Sequence, residues 1–295
     1  MTTILVTGGT GLIGKQVCKL LQNNGYSVLI LSRTKSKNPS IYYWNIEKNY
    51  IDKQAILNAN YIIHLAGAAI ADKRWTKNRK LELINSRVKS TNLLFSYIKT
   101  FNPDLKGFIS ASAIGYYGAI TSSKIFVEKD THGKDFISTI CKHWEKATHQ
   151  FISIDIRTVI FRIGVVFSKR GGAFKKITIP IRFGIGTVLG NGKQYMPWIH
   201  IDDLCAMYLK AIEDTTITGT FNAVCPEHIT NEQLTKTIVN ALKKPLWLPN
   251  MPSSILRFIF GEMSTILLKG SRVSSKKIQE TGFHFSYKKL TNLFN

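Results

Sequence analysis

Cysteine is scarce and scattered in this 295-residue chain, and Cys18, Cys141, Cys205 and Cys225 form no CxxC pair. That spacing speaks against a disulfide framework and a structural zinc site, and points to reduced thiols in a cytoplasmic setting. No apolar run reaches the ~18 residues that span a bilayer, so no membrane association is expected. The opening MTTILVT has no basic stretch ahead of an apolar core, so a secretory leader is not expected either. The seven histidines show no ligand spacing such as HExxH, and no metal is expected. Acidic residues are few: 18 Asp plus Glu stand against 40 Lys plus Arg, a net charge of +22. Such a balance attracts nucleic acid, acidic membranes or phosphorylated ligands. The excess is lysine spread along the chain, with short clusters such as Lys35–Lys37 and Lys276-Lys277. It reads as solvated surface rather than a nucleic-acid face.

What is present begins at the first residue. MTTILVT reads as a short strand, and Gly8-Gly9-Thr10-Gly11-Leu12-Ile13-Gly14 follows at once. Each glycine in the series 8, 11, 14 has a mechanical reason: a sharp turn, close approach of backbone to a pyrophosphate, and tight packing of helix on strand. Ile13, Val17, Leu20 and Leu21 then share one helical face, and Gly25 stops the helix. The unpaired N–H groups at the helix start and its dipole favour phosphate there, on Gly8, Thr10, Gly11, Leu12, Ile13 and Gly14. Ser27–Leu31 is a fully apolar strand of the buried parallel kind. After it comes Ser32-Arg33-Thr34-Lys35, where an NAD-type site puts Asp or Glu on the ribose 2′-hydroxyl. A guanidinium binds a 2′-phosphate bidentately and a hydroxyl adds a hydrogen bond, so NADP(H) is expected on Ser32 and Arg33, with NAD the less favoured cofactor.

Strand and helix alternate through the first two-thirds of the chain, with further strands at 41–44, 60–65, 107–112 and 156–164 and helices at 85–101 and 136–151. This predicts an α/β fold with a Rossmann-type doubly wound parallel sheet. After Ser168 a loop-rich region is expected, broken by Pro180 and Pro197, then a strand at 219–224 and a helix at 230–242 capped by Thr230 or Asn231. Asp202-Asp203 is expected to cap another helix. Residues 253–269 read as one strongly apolar helix, packed into the core of a small C-terminal substrate-binding domain. The expected division is 1–168 for the dinucleotide-binding domain, with 198–224 returning to it, and 169–197 plus 225–295 for the substrate or lid domain.

TGGTGLIG at 7–14, HLAGA at 64–68, SASAIGYYG at 110–118 and WIHIDDL at 198–204 resemble the extended short-chain dehydrogenase/reductase, or NAD-dependent epimerase/dehydratase, family. An atypical, epimerase-like (SulA-like) branch is closer still. Its marks here are Lys73-Arg-Trp-Thr76, Ser86-Arg87, Cys141-Lys-His-Trp-Glu145, Gly270-Ser-Arg-Val273 and a close from Gly282 to Leu290. The resemblance implies that Leu65, Ala66, Gly67 and Ser110 lie along the dinucleotide and that Ser112 steadies a substrate oxygen.

The parent family moves a proton with a Tyr-x-x-x-Lys pair. None of the eleven tyrosines here has lysine four residues on. The helix that should carry the pair has Cys141 and Glu145, and a carboxylate beside a thiol disfavours the thiolate. The catalytic candidates are therefore Ser112, Tyr116, Tyr117 and Glu145, the tyrosines lying just past a strand's carboxyl end where such sheets bind ligands. Arg74, Trp75, Arg87 and Arg272 are candidates for an anion-binding or aromatic substrate pocket; His200 is read as structural. Three readings stay open: an NADP-dependent oxidoreductase or epimerase-like enzyme acting on a small polar substrate, a non-catalytic NADP-binding sensor or cell-division-associated regulator, and a basic nucleic-acid or membrane protein. A homodimer is compatible with each.

Overall fold

The computed structural model describes residues 1–294. The strands are β1 (Thr3–Thr7), β2 (Ser27–Ser32), β3 (Ile41–Asn45), β4 (Tyr50–Ile51), β5 (Tyr61–His64), β6 (Gly107–Ala113), β7 (Ile125–Phe126), β8 (Thr158–Ile163), β9 (Val165–Ser168), β10 (Trp198–His200), β11 (Gly219–Ala223) and β12 (Arg272–Val273). The helices are α1 (Leu12–Asn23), α2 (Lys53–Leu57), α3 (Lys77–Phe101), α4 (Phe136–His149), α5 (Gly172–Arg182), α6 (Ile201–Glu213), α7 (Asn231–Ala241), α8 (Ser253–Phe260), α9 (Thr265–Leu268) and α10 (Lys276–Glu280).

Eight strands form one sheet in the order β11-β8-β6-β5-β1-β2-β3-β4, parallel except for the terminal β4. This is the Rossmann-type doubly wound fold. Strand alternation feeds two cores. From β1, Ile4 and Val6 join Val17 and Leu21 of α1 and Leu204 and Tyr208 of α6. Leu5, between them, points the other way to Ile56 of α2 and Leu94 and Ile98 of α3. The chain leaves β1 toward β2 and β3, and returns on the opposite side through β5 and β6. The strand order therefore reverses at β1 and β5, and the crevice beyond their carboxyl ends is where ligands bind in such sheets. A further cluster gathers Phe167, Trp198, Leu234, Ile238, Leu290 and Leu293 away from the large sheet.

Four local expectations are corrected. The region after Ser168 holds a helix, α5, with Pro180 inside it. Proline in a helix interior costs about 3 kcal/mol, but Phe174 and Ile181 are buried on the same helix, and each contributes roughly 1.5–3 kcal/mol by leaving water. Helix α3 starts at Lys77 rather than Asn85, because the Thr76 hydroxyl accepts from Arg79 N at 3.2 Å and caps it. Its charged first turns hid that start.

The cap of α6 is His200, whose Nδ1 accepts from Asp202 N at 3.3 Å. Asp203 instead reaches the C-terminal segment and accepts from Ser286 N and Tyr287 N at 2.8 and 3.0 Å.

The apolar stretch 253–269 is not one packed helix. It breaks at Gly261, which ends α8 at φ +58, and resumes through a 3-10 turn into α9. Leu256 and Met263 are buried, whereas Phe258 is 84% exposed and Ile255 and Ile259 are also exposed. The capping box at Thr230 and Gln233 starts α7 at the expected place.

Candidate active site

The turn after β1 is a cradle that side chains would fill. A Cβ on Gly14 would lie 2.2 Å from Gly8 O, and one on Gly8, at φ +71, would lie 3.0 Å from the Leu65 carbonyl carbon. Gly11 caps α1 without any side-chain hydrogen bond, and the first turn carries no acidic residue. The leading N–H groups of α1 are therefore free to face an anion. Backbone from 8–11 and from 65–67 borders the same crevice, and the observed shape fits a dinucleotide pyrophosphate. Ser32 ends β2, its hydroxyl accepting from Thr34 N at 3.1 Å, and Arg33 is exposed beside it. Arg33 and Lys73 share a surface: the exposed Glu82 carboxyl is held below its usual range by a hydrogen bond from Arg79, with the charges of Lys73 and Arg33 adding to it.

Beneath the cradle lies a buried polar chain. Thr7 Oγ1 accepts from Leu65 N and Ala66 N, both at 3.2 Å, and lies 2.7 Å from His64 Nδ1. With its lone pairs engaged, the Thr7 hydroxyl donates to Nδ1, which leaves the His64 proton on Nε2, facing Thr91 and Ser90 hydroxyls at 3.1 and 3.2 Å. Burial, with the nearby Arg87 charge, pushes His64 down to about 3. Arg87 is itself buried beneath Gly67. Its Nη2 donates to Ala68 O at 3.0 Å, its Nη1 to Leu83 O at 2.9 Å, and it lies 5.0 Å over the Trp144 ring. It is directed at the 65–68 loop rather than into open space. Ser110 is fully buried, and its hydroxyl donates to Ala111 O.

At the carboxyl ends of β6, β8 and β11, Ser112, Arg162 and Asn222 stand side by side in register. Arg162 reaches α4 and grips Glu145 with two hydrogen bonds, Nε to Oε1 at 2.9 Å and Nη2 to Oε2 at 2.8 Å. Ser112 Oγ donates to the same Oε1 at 2.7 Å. Arg162 Nη1 donates to Tyr117 Oη at 3.0 Å, and Tyr117 donates to Asn222 Oδ1 at 2.7 Å. Asn222 continues to Ser274 O and, through its backbone N–H, to Glu128 Oε1. Burial opposes the Arg162 charge, but Glu145 more than offsets this and keeps the guanidinium protonated. Burial pushes Tyr117 up to about 12. Tyr116 differs from its neighbour: it is only half-buried, its ring lies 3.4 Å under the Arg162 guanidinium carbon, and its hydroxyl has no hydrogen-bond partner among the described residues.

The family model for the NAD dependent epimerase/dehydratase family matches residues 4–223, and one for DUF1731, a domain of unknown function, matches 251–294. An epimerase family protein of Staphylococcus aureus is 35% identical over 98% of this chain and 97% of its own length. The chain belongs to the NAD dependent epimerase/dehydratase family. Human epimerase family protein SDR39U1, solved with NADPH, is 29% identical and superposes with a TM-score of 0.89 over 99% of this chain and 98% of its own. UDP-glucuronic acid 4-epimerase of Bacillus cereus, solved with NAD, shares the fold at a TM-score of 0.79 and 19% identity, over 99% of this chain and 96% of its own.

Within this family the chain departs at the helix where the resemblance puts a Tyr-x-x-x-Lys pair. The Cys141 thiol is buried and pushed up to about 12, first by burial and then by Glu145. Glu145 accepts three charge-assisted or hydroxyl hydrogen bonds and is 3% exposed. Arg162 and Asn222 were not among the sequence candidates. Each interrupts a run of apolar residues near the end of its strand, TVIFRI and GTFNA. A buried charge needs a partner, so the isolated arginine of one apolar element and the isolated glutamate of α4 were the available signal.

The four residues expected to form a substrate pocket do not meet. Trp75 is buried, donates Nε1–H to Ile70 O at 3.0 Å and stands edge-on to Phe136 at 5.2 Å. Arg74 lies against Gly261, Arg87 under Gly67, and Arg272 donates to Ser123 O and packs over Tyr195. Of the four, only Trp75 lines the cavity of about 610 Å³ that opens beyond β6, between residues 117–137 and 262–269.

Proposed function

We propose that this protein is an NADP(H)-dependent oxidoreductase or epimerase-like enzyme that transfers hydride on a small hydroxyl- or carbonyl-bearing substrate. The observation that carries this reading is the Gly8–Gly14 turn, which leaves no room for a Cβ at Gly8 or Gly14 and is backed by a start of α1 without side-chain capping. Gly8, Thr10, Gly11, Leu12, Ile13 and Gly14 would hold the pyrophosphate, Leu65, Ala66 and Gly67 the far wall, and Ser32 and Arg33 the ribose 2′-phosphate. The bound nicotinamide supplies or accepts the hydride.

The chain's own residues divide the remaining work. Tyr116 gives or takes the substrate proton at Oη, since its hydroxyl is unengaged while that of Tyr117 is held by Arg162 and Asn222. The Arg162 guanidinium lies over the Tyr116 ring, a cation against the ring's negative face. Arg162 thus places a cation beside the proposed acid, where the parent family has a lysine. Glu145 holds Arg162 in place rather than acting as a base, because both its oxygens are already taken by Arg162 and Ser112. Ser112, its proton committed to Glu145, presents its lone pairs to a substrate hydroxyl. Support for NADP over NAD comes from the lack of a carboxylate after β2 and from the NADPH-bound human relative.

The test is a pair of titrations with NADPH and NADH, repeated on Arg33→Asp. The wild type is expected to favour NADPH by at least tenfold and the variant to lose that preference. Tighter binding of NADH by the wild type overturns the cofactor assignment.

A further inference from the structure

The cavity of about 610 Å³ beyond β6 has the size of a small-molecule site. Its walls are apolar and largely flat-sided: Trp75 against Phe136, Phe126 stacked under Tyr117 at 5.0 Å, and Ile120 and Ile137. The polar groups that line it are mostly engaged already. Asp135 accepts from Ser138 N at 2.9 Å and Ala119 N at 2.5 Å. Glu262 pairs with Lys80 at 2.5 Å, and the Thr265 hydroxyl donates to Glu262 O. Both carboxylates on the wall are thus committed, while Lys134 and Lys269 have no ion-pair partner among the described residues. His132 joins this wall to the proposed acid: its Nδ1–H donates to Gly133 O at 2.7 Å and its ring stands edge-on to Tyr116 at 6.0 Å.

We propose that this cavity is the substrate pocket and that the substrate is an apolar hydroxy or oxo acid, its flat or branched body against Trp75, Phe126 and Phe136 and its anionic group on Lys134 and Lys269. The proposal rests on the hydride-transfer reading above and narrows it. A sugar ring presents several hydroxyls, each needing a partner once it leaves water, and the free side-chain donors on these walls are two cations and one hydroxyl, that of Thr131, rather than an array of neutral groups. A carboxylate meets both requirements with one group. The body of the ligand gains by covering apolar wall, which the two lysines alone do not recognise.

Calorimetric titration of the NADPH-loaded protein with three probes tests this: 2-naphthoate, its neutral analogue 2-naphthalenemethanol, and glucose 1-phosphate. The expected result is measurable binding of 2-naphthoate, with the other two at least tenfold weaker. Lys134→Gln and Lys269→Gln are each expected to weaken 2-naphthoate by about twofold to fivefold, the scale of an exposed charge pair, and to leave the neutral analogue unchanged. Glucose 1-phosphate binding as well as 2-naphthoate, no naphthoate binding at all, or lysine variants without effect on it each overturn the proposal. NADPH affinity, read in the same samples by nicotinamide fluorescence, separates the two ideas. Intact NADPH binding with no naphthoate binding removes the substrate class alone, whereas loss of NADPH binding removes the parent reading.

Discussion

Arg162 of β8 and Glu145 of α4 form a two-point ion pair with both side chains 4% exposed, and Ser112, Tyr116 and Tyr117 are arranged around it. Removing one member of such a pair leaves an uncompensated charge in the interior, which costs about 3–5 kcal/mol. Glu145→Ala or Arg162→Ala is therefore expected to lower stability in urea by that amount. Glu145→Leu with Arg162→Met is expected to recover most of it. Single variants within about 0.5 kcal/mol of wild type would contradict a structural role for the pair.

The two adjacent tyrosines should respond in opposite ways. Tyr116→Phe removes an unengaged hydroxyl, so stability is expected to hold while turnover falls by about 10²–10⁴-fold, the range for a lost general acid. Tyr117→Phe leaves Asn222 Oδ1 and one Arg162 N–H without a partner, at about 1–3 kcal/mol, and is expected to appear chiefly as a lower Tm. A larger fall in turnover for Tyr117→Phe than for Tyr116→Phe would exchange their roles.

His64 gives a pH signature. Its folded value of about 3 lies well below the ordinary 6.5. Above pH 6.5 the ring is neutral in both states and pH has no effect through it. Between 6.5 and 3 the unfolded chain binds a proton that the folded protein refuses, so stability falls as pH falls, on the order of 1.4 kcal/mol per pH unit from this group. Urea unfolding of wild type and His64→Asn at pH 7, 6 and 5 checks it. The wild type is expected to show the steeper loss, and parallel curves would remove His64 as the cause.

The fold was legible because its signals are local. The glycine spacing after β1, the apolar run of β2 and the strand–helix alternation each follow from one short segment. The pieces that escaped depend on partners distant in sequence. Arg162 becomes explicable only when β8 lies beside β6 and under α4, which unites residues 112, 145, 162 and 222. Arg87 and Arg272 looked like ligand-binding arginines, yet tertiary packing gives each a backbone carbonyl. Pro180 read as a helix breaker because the compensating burial of Phe174 and Ile181 is not visible from spacing alone. For 253–269 hydrophobicity implied burial, and only the break at Gly261 and the exposure of Phe258 reveal a different arrangement.

The most direct test of the account is an NADPH titration of the wild type and of Gly14→Ala, followed by nicotinamide fluorescence. A Cβ at Gly14 would sit 2.2 Å from Gly8 O, and relieving that overlap must displace the turn, at about 1–3 kcal/mol or more. The expected result is saturable NADPH binding by the wild type and at least a tenfold loss in a Gly14→Ala protein that still melts cooperatively. Folded wild-type protein that binds neither NADPH nor NADH, or a Gly14→Ala protein with undiminished affinity, would contradict it.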